Sequence, residues 1–134
     1  MRMRAEFLDT NVILYLLDDG PKAEIAERLI SSGAMISVQV LNEALVNCRR
    51  KAGMSWQEAG LFLDSLRALC PVVALTPQIH EIGRALGERY GFAVYDAMIV
   101  AAALSNECHT LYSEDMHDGL VVEGQLTIVN PFKA

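Results

Sequence analysis

The sequence is short of the residues that usually announce zinc, redox or membrane chemistry. It holds three cysteines, Cys48, Cys70 and Cys108. They are odd in number and far apart, with no C-x-x-C pair, which argues against a zinc ribbon, a thioredoxin-like centre and a disulfide framework. All three sit among apolar neighbours. They read as small core residues of a protein working in a reducing cytoplasm. The three histidines, His80, His109 and His117, have no metal-ligand spacing. No apolar run reaches the roughly 18 residues that span a bilayer. The basic start Met1-Arg2-Met3-Arg4 is followed by Glu6 and Asp9 rather than by an apolar run, so no signal peptide is expected. Basic residues are also scarce: 11 against 17 acids, for a net charge of −6. Taken alone, that balance argues against unspecific nucleic-acid binding. It argues less strongly if several acids surround one bound cation, because the local charge then decides. The only dense basic run, Arg49-Arg50-Lys51, reads either as a solvated helix end or as a phosphate contact.

What the sequence does have is a core. Its 134 residues are 52% hydrophobic, enough for one domain, residues 1–134, that buries about two-thirds of its unfolded surface. A first strand is expected over residues 4–9 and a short helix over about 11–18, with Thr10 or Asn11 as its cap. Gly20-Pro21 breaks that helix and starts another, which Gly33 ends. Ala34–Val38 is a short strand. Gln39–Ala52 is a helix with Val40, Leu41, Ala44, Leu45 and Cys48 in one stripe. Ser55 and Glu58 form a capping-box pattern before a helix whose stripe is Trp56, Ala59, Leu63, Leu66 and Cys70. These two helices are expected to pair as a hairpin. Pro71–Leu75 is a third strand, and Thr76-Pro77 opens a helix that ends at Gly91. Phe92–Asn106 is a helix in which every residue from Ala97 to Leu104 is hydrophobic, so it should be covered on most sides. His109–Ser113 is a strand, Met116–Gly124 a loop, and Leu126–Val129 a last strand. This alternation predicts an α/β domain with a mainly parallel sheet of four or five strands.

Four acids take particular places on that map. Asp9 ends the first strand, and Asp115 follows the fourth by two residues. Asp96 opens the buried helix, where the helix dipole alone would favour it by about 0.3–1 kcal/mol. Glu43 lies beside the apolar stripe of the helix after the second strand, with Asn47 one turn further on. Each has a plain structural explanation as a cap or a surface charge. Strand ends of a parallel sheet share one edge, however, so the four can converge. Two carboxylates about 5 Å apart repel by roughly 3 kcal/mol at an effective dielectric of 20. Four of them would need protonation or a cation. An all-oxygen set without histidine or cysteine points to Mg²⁺ or Mn²⁺, and such an ion suits phosphodiester hydrolysis. Thr10, Asn11 and Ser113 are polar neighbours able to orient the carboxylates or a water.

With these pieces in place the chain resembles the PIN-domain nucleases, and within them the VapC-type toxins of toxin–antitoxin modules. The matching pieces are Leu8-Asp9-Thr10-Asn11-Val12, Asn42-Glu43, the run from Tyr95-Asp96-Ala97 to Ala103, and Leu111-Tyr112-Ser113-Glu114-Asp115. Their order spans nearly the whole chain. The resemblance implies a three-layer α/β/α fold and a metal-dependent endoribonuclease that cleaves a structured RNA such as a tRNA or rRNA loop. It also implies a homodimer held inactive by a cognate antitoxin. Carried over by position, Asp9, Glu43, Asp96 and Asp115 are the acidic quartet. Asp9, Asp96 and Asp115 are then the metal ligands, and Glu43 a ligand or a positioner of water. Asp118, three residues beyond Asp115, can share or replace its role. Ser113 stands where the family often has threonine.

Two other readings fit parts of the sequence. A phosphotransferase or phosphatase of the haloacid-dehalogenase type would use Asp9 as nucleophile. Such proteins normally carry a second acid two residues later, where this chain has Asn11. A catalytically inactive α/β binding module would use the acids only as caps and surface charge. Response to Mn²⁺ separates that module from a nuclease.

Overall fold

The computed structural model describes residues 5–133. The expected start of the first strand at Arg4, and the basic start Met1–Arg4, lie outside the described residues. The elements run β1 (Ala5–Leu8), α1 (Thr10–Leu14) with a 3-10 turn (Tyr15–Leu17), α2 (Pro21–Ser31), β2 (Ile36–Ser37) and α3 (Val38–Arg50). They continue with α4 (Trp56–Leu69), β3 (Val72–Val73), α5 (Pro77–Tyr90), α6 (Val94–Ser105), β4 (Cys108–Tyr112), β5 (Val121–Val122) and β6 (Leu126–Val129). Among the described residues no helix is long and apolar enough to cross a membrane.

The strands form a mainly parallel sheet of four in the order β1-β4-β6-β5, and helices pack around it in the α/β/α manner. β1, β4 and β6 run parallel, and β5 is antiparallel to β6. β2 and β3 pair with each other as a separate parallel ribbon. A single bridge between Phe7 and Met35 ties that ribbon to the free side of β1. The sheet interior is closed by Phe7, Leu8, Leu111, Leu126 and Ile128, all fully buried. Residues Ala97 to Ala103 of α6 are buried without a break, as the apolar run requires. Cys48, Cys70 and Cys108 are free and buried.

Local chemistry sets the ends of these elements. The Ser55 hydroxyl accepts from the Glu58 N–H while Glu58 accepts from the Ser55 N–H, so the capping box forms. Thr76 caps α5 with Pro77 in its first turn, and Gly91 ends it in the left-handed region.

Four expectations need correction. Asp9, rather than Thr10 or Asn11, is the N-cap of α1: it is the extended residue, and Thr10 already has helical geometry. The third strand shortens to Val72–Val73, because Ala74 and Leu75 are exposed and unpaired with β2. The loop after β4 contains β5, joined to β6 through three residues, Glu123, Gly124 and Gln125. Glu123 and Gly124 both have positive φ there, and the Gln125 N–H donates to the Val122 carbonyl at 3.0 Å, as in a type I′ turn. Trp56 is 66% exposed rather than core. It is the first residue of α4, one turn before Ala59, and so overhangs the end of the buried stripe.

Leu111 lies on β4 between β1 and β6 and is fully buried. Leu111→Ala should lose about 2–5 kcal/mol, read as a lower midpoint in urea unfolding at unchanged slope. An unchanged midpoint would contradict the packing described.

Candidate active site

Register builds the centre of the site. Leu8 of β1 pairs with Tyr112 of β4, so the next residues, Asp9 and Ser113, leave the same sheet edge side by side. The backbone holds them there: the Asp9 N–H donates to the Tyr112 carbonyl at 3.0 Å, and the Ser113 N–H to the Val129 carbonyl at 3.0 Å. The Ser113 hydroxyl then donates to Asp9 Oδ2 at 2.7 Å. The Thr10 N–H donates to Asp9 Oδ1 at 2.7 Å. Asp9 is only 4% exposed, so its carboxylate is fixed by two short bonds in a place water scarcely reaches.

The other acids arrive from helices. Ser37 ends β2 and caps α3, accepting from the Val40 N–H. Glu43 comes about one and a half turns later and is half-buried. The Gln39 side-chain amide, itself nearly buried, donates to Glu43 Oε2 at 2.9 Å. Asp96 stands in the first turn of α6, half-buried, and Asp115 lies exposed just beyond Ser113.

Their charges act on one another. Burial pushes Asp9 up to about 6 against the two hydrogen bonds that favour its ionised form, and the negative charges of Asp96 and Glu43 add to the rise. Glu43 is raised by burial and by Asp96, while Gln39 opposes the rise. Asp96 is raised by burial and then by Asp115. This is the opposite of what a first-turn acid serving only the helix dipole would show. The four acids are thus linked electrostatically in a series of repulsions. Among the described residues, the ion pairs are Lys22–Glu114, Arg89–Glu123 and Lys133–Asp118, and none of the four takes part.

Asp118 is not brought to this group. Its oxygens accept from the Asn130 N–H at 2.8 Å and from Lys133 Nζ at 3.2 Å, and these contacts lower its pKa. Asn11 is brought close: with Asn47, Lys51 and Asp115 it lines a groove of about 500 Å³. A second groove of about 400 Å³ lies along Asn42, Glu43 and Tyr95, and Asn47 lines both. Lys51 belongs to the basic run that the sequence offers as a helix end or a phosphate contact, and Tyr95 to the run that opens with Tyr95-Asp96, whereas Gln39 was not singled out from sequence as a site residue. Gln39 had a readable signal, since it precedes Glu43 by one helical turn.

The donor chemistry suits a hard divalent cation: carboxylates, a serine hydroxyl and no nitrogen or sulfur. The Thr10 hydroxyl adds a second observation. It is buried and completes no hydrogen bond, although it lies near enough to Glu43 to favour its charged form. An orphaned buried oxygen calls for a partner. Among the described residues, no three acids stand close enough together to enclose an ion by themselves.

The sign of the Asp9 shift gives a prediction. Its pKa is higher in the folded state, about 6, than the ordinary 3.8. As pH rises from about 4 to 6 the unfolded chain gives up this proton first, so stability falls by on the order of 3 kcal/mol in metal-free protein. Asp9→Asn removes the titration and retains a capping side chain. In EDTA the variant should therefore unfold several degrees above wild type at pH 7.5, with the gap closing by pH 4.5. A variant less stable than wild type at both pH values would contradict this account.

Residues 7–117 match the PIN domain family. No curated protein matches the chain significantly. Among solved structures, a toxin–antitoxin complex from Klebsiella pneumoniae superposes with a TM-score of 0.73 at 20% identity, over 97% of this chain and 99% of that one. VapC20 of Mycobacterium tuberculosis, described as a sarcin-ricin-loop-cleaving toxin, gives 0.68 at 22% identity over 83% and 90%. FitAcB from Neisseria gonorrhoeae gives 0.67 at 17% over 96% and 99%. At these identities the likeness is one of fold. The family match and the sheet edge that gathers Asp9 and Ser113 agree, and the chain belongs to the PIN domain family.

Proposed function

We propose that the chain is a divalent-metal-dependent endoribonuclease, the toxin of a toxin–antitoxin pair, acting in the cytoplasm on an RNA loop. The observation that supports it best is the series of four acids linked by repulsion, none of them paired to a lysine or arginine among the described residues. A protein keeps such a group at an energetic cost, and a cation that offsets the repulsion explains why it is kept.

In this reading Asp9, Asp96 and Asp115 hold Mg²⁺ or Mn²⁺. An ion held there would supply an activated water and offset charge on the phosphate oxygens. The chain's own residues prepare the rest. Ser113 and the Thr10 N–H set the orientation of the Asp9 carboxylate before anything binds. Gln39 holds one oxygen of Glu43. Burial and the charge of Asp96 raise the pKa of Glu43, and in this reading it would position or deprotonate the attacking water. The side chains of Asn11, Asn47 and Lys51 in the groove beside Asp115 meet the RNA. The Klebsiella pneumoniae neighbour, described as a toxin–antitoxin complex, supports a cognate antitoxin as protein partner. A homodimer is the assembly that goes with this reading.

Cleavage assays on tRNA and rRNA-loop oligonucleotides in Mg²⁺ test it. Asp9→Asn and Asp96→Asn should each lower cleavage by about 10²-fold or more, and EDTA should stop it. Asp118→Asn should leave the rate within about twofold, since Asp118 pairs with Lys133 and the Asn130 backbone. Cleavage that survives both Asp9→Asn and Asp96→Asn would sink the nuclease reading.

A further inference from the structure

Trp56 is the only tryptophan in the chain, and it is 66% exposed. Tryptophan carries one of the largest apolar surfaces of any side chain, and here most of it faces solvent. It is not part of the apolar outer face of its own helix. Leu61 and Leu69, the other exposed large residues of α4, lie about 140° around the helix axis from it at 3.6 residues per turn. Its neighbours are charged. The Arg49 guanidinium lies 4.8 Å from the centre of the Trp56 ring. Arg49 is itself pinned, donating to the Met54 carbonyl at 2.9 Å. Arg50 and Lys51 follow and are exposed.

The turn that carries this group is held at both ends. The Ala52 N–H donates to the Asn47 carbonyl at 3.1 Å, and the Met54 N–H to the Cys48 carbonyl at 3.0 Å. The capping box of Ser55 and Glu58 fixes the start of α4, where Trp56 is the first residue. Indole and guanidinium are therefore set before any ligand arrives. The turn also adjoins the candidate site, since Asn47 and Lys51 line the groove that ends at Asp115.

We propose that Trp56 is a stacking platform for an unpaired RNA base, with Arg49, Arg50 and Lys51 contacting the adjoining phosphates. The proposal rests on the ribonuclease reading above and adds the form of RNA that the site takes. An aromatic face beside cationic side chains is the arrangement that binds single strands without reading their sequence. A duplex keeps its bases stacked inside and offers none to the indole. On a chain of net charge −6 this is the only run of three consecutive bases, which favours a polyanion over an acid-poor partner.

Because the chain has one tryptophan, its fluorescence reports on this position alone. Asp9→Asn protein, in EDTA, would be titrated with an unstructured RNA of about ten nucleotides, a length within the usual range for one binding groove. The expected result is saturable quenching, with a duplex of the same length quenching little. Trp56→Ala should bind the single strand about ten- to a hundredfold more weakly, followed by anisotropy of a labelled oligonucleotide, and Trp56→Phe should recover most of the affinity. In otherwise wild-type protein, Trp56→Ala should raise KM and leave kcat nearly unchanged, with an unaltered unfolding midpoint. Fluorescence that stays constant at saturating RNA overturns the proposal. So does a Trp56→Ala protein that binds as tightly as its parent, or equal quenching by duplex. The two readings fail separately. Cleavage with an unchanged KM in Trp56→Ala removes the platform and leaves the nuclease. Quenching by single strand with no cleavage of any RNA leaves the platform and removes the nuclease.

Discussion

The hydrogen bond from Ser113 to Asp9 is the contact on which the rest of the site depends. It exists because Leu8 and Tyr112 are register partners on adjacent parallel strands, so that one strand delivers a carboxylate and the next a hydroxyl at the same edge. A slip of one residue would turn one of the two side chains to the other face of the sheet and break the pair. The backbone bonds at Asp9 and Ser113 guard against that slip. The carboxylate is thereby held in a nearly dry place, where its ionised form is disfavoured and its pKa rises to about 6.

From that fixed point the arrangement spreads outward through helix starts. Asp9 caps α1, and Ser37 caps the helix that carries Glu43. Asp96 sits in the first turn of α6, which can hold it rigidly because seven consecutive residues of that helix are buried. Each acid is thus mounted on an element whose position the core decides, and the repulsion among them cannot relax by movement of a loop. Asp115 is the exception, exposed just past the strand end, and it opens onto the groove. Glu114 beside it is anchored instead to Tyr15 and Lys22, which restrains the same short segment from the other side.

Much of this was legible in the sequence, because the signals were local or periodic. The caps at Ser55 and Thr76, the proline starts and the unbroken apolar run of α6 each name an element and one of its ends. Asp9, Asp115 and Asp96 could be placed at strand and helix ends for the same reason, and Glu43 about one turn into its helix. What escaped was set by tertiary contacts or by an unusual residue. The hairpin of β5 and β6 turns on Glu123 and Gly124, and a glutamate with positive φ gives no Asn-Gly or Asp-Gly signal. Trp56 fitted the helical stripe by spacing, yet it lies beyond the point where α3 and the core cover that stripe. Asp118 and Asp115 are the same residue type, three residues apart. Only the positions of Asn130 and Lys133 separate an acid tied to the chain's end from one that faces the groove. The lone Gln39 contact to Glu43 was open to inspection, but a helical glutamine has too many ordinary uses to stand out.

If these acids form one cation site, thermal unfolding at pH 7.5 with and without millimolar Mn²⁺, for wild type and Asp9→Asn, will show it. A ligand at ten times its Kd adds about 1.4 kcal/mol, or roughly 3–8 °C for a domain of this size. That rise is expected for wild type and little or none for the variant. Equal shifts in both proteins, or no shift in wild type at saturating metal, would contradict it.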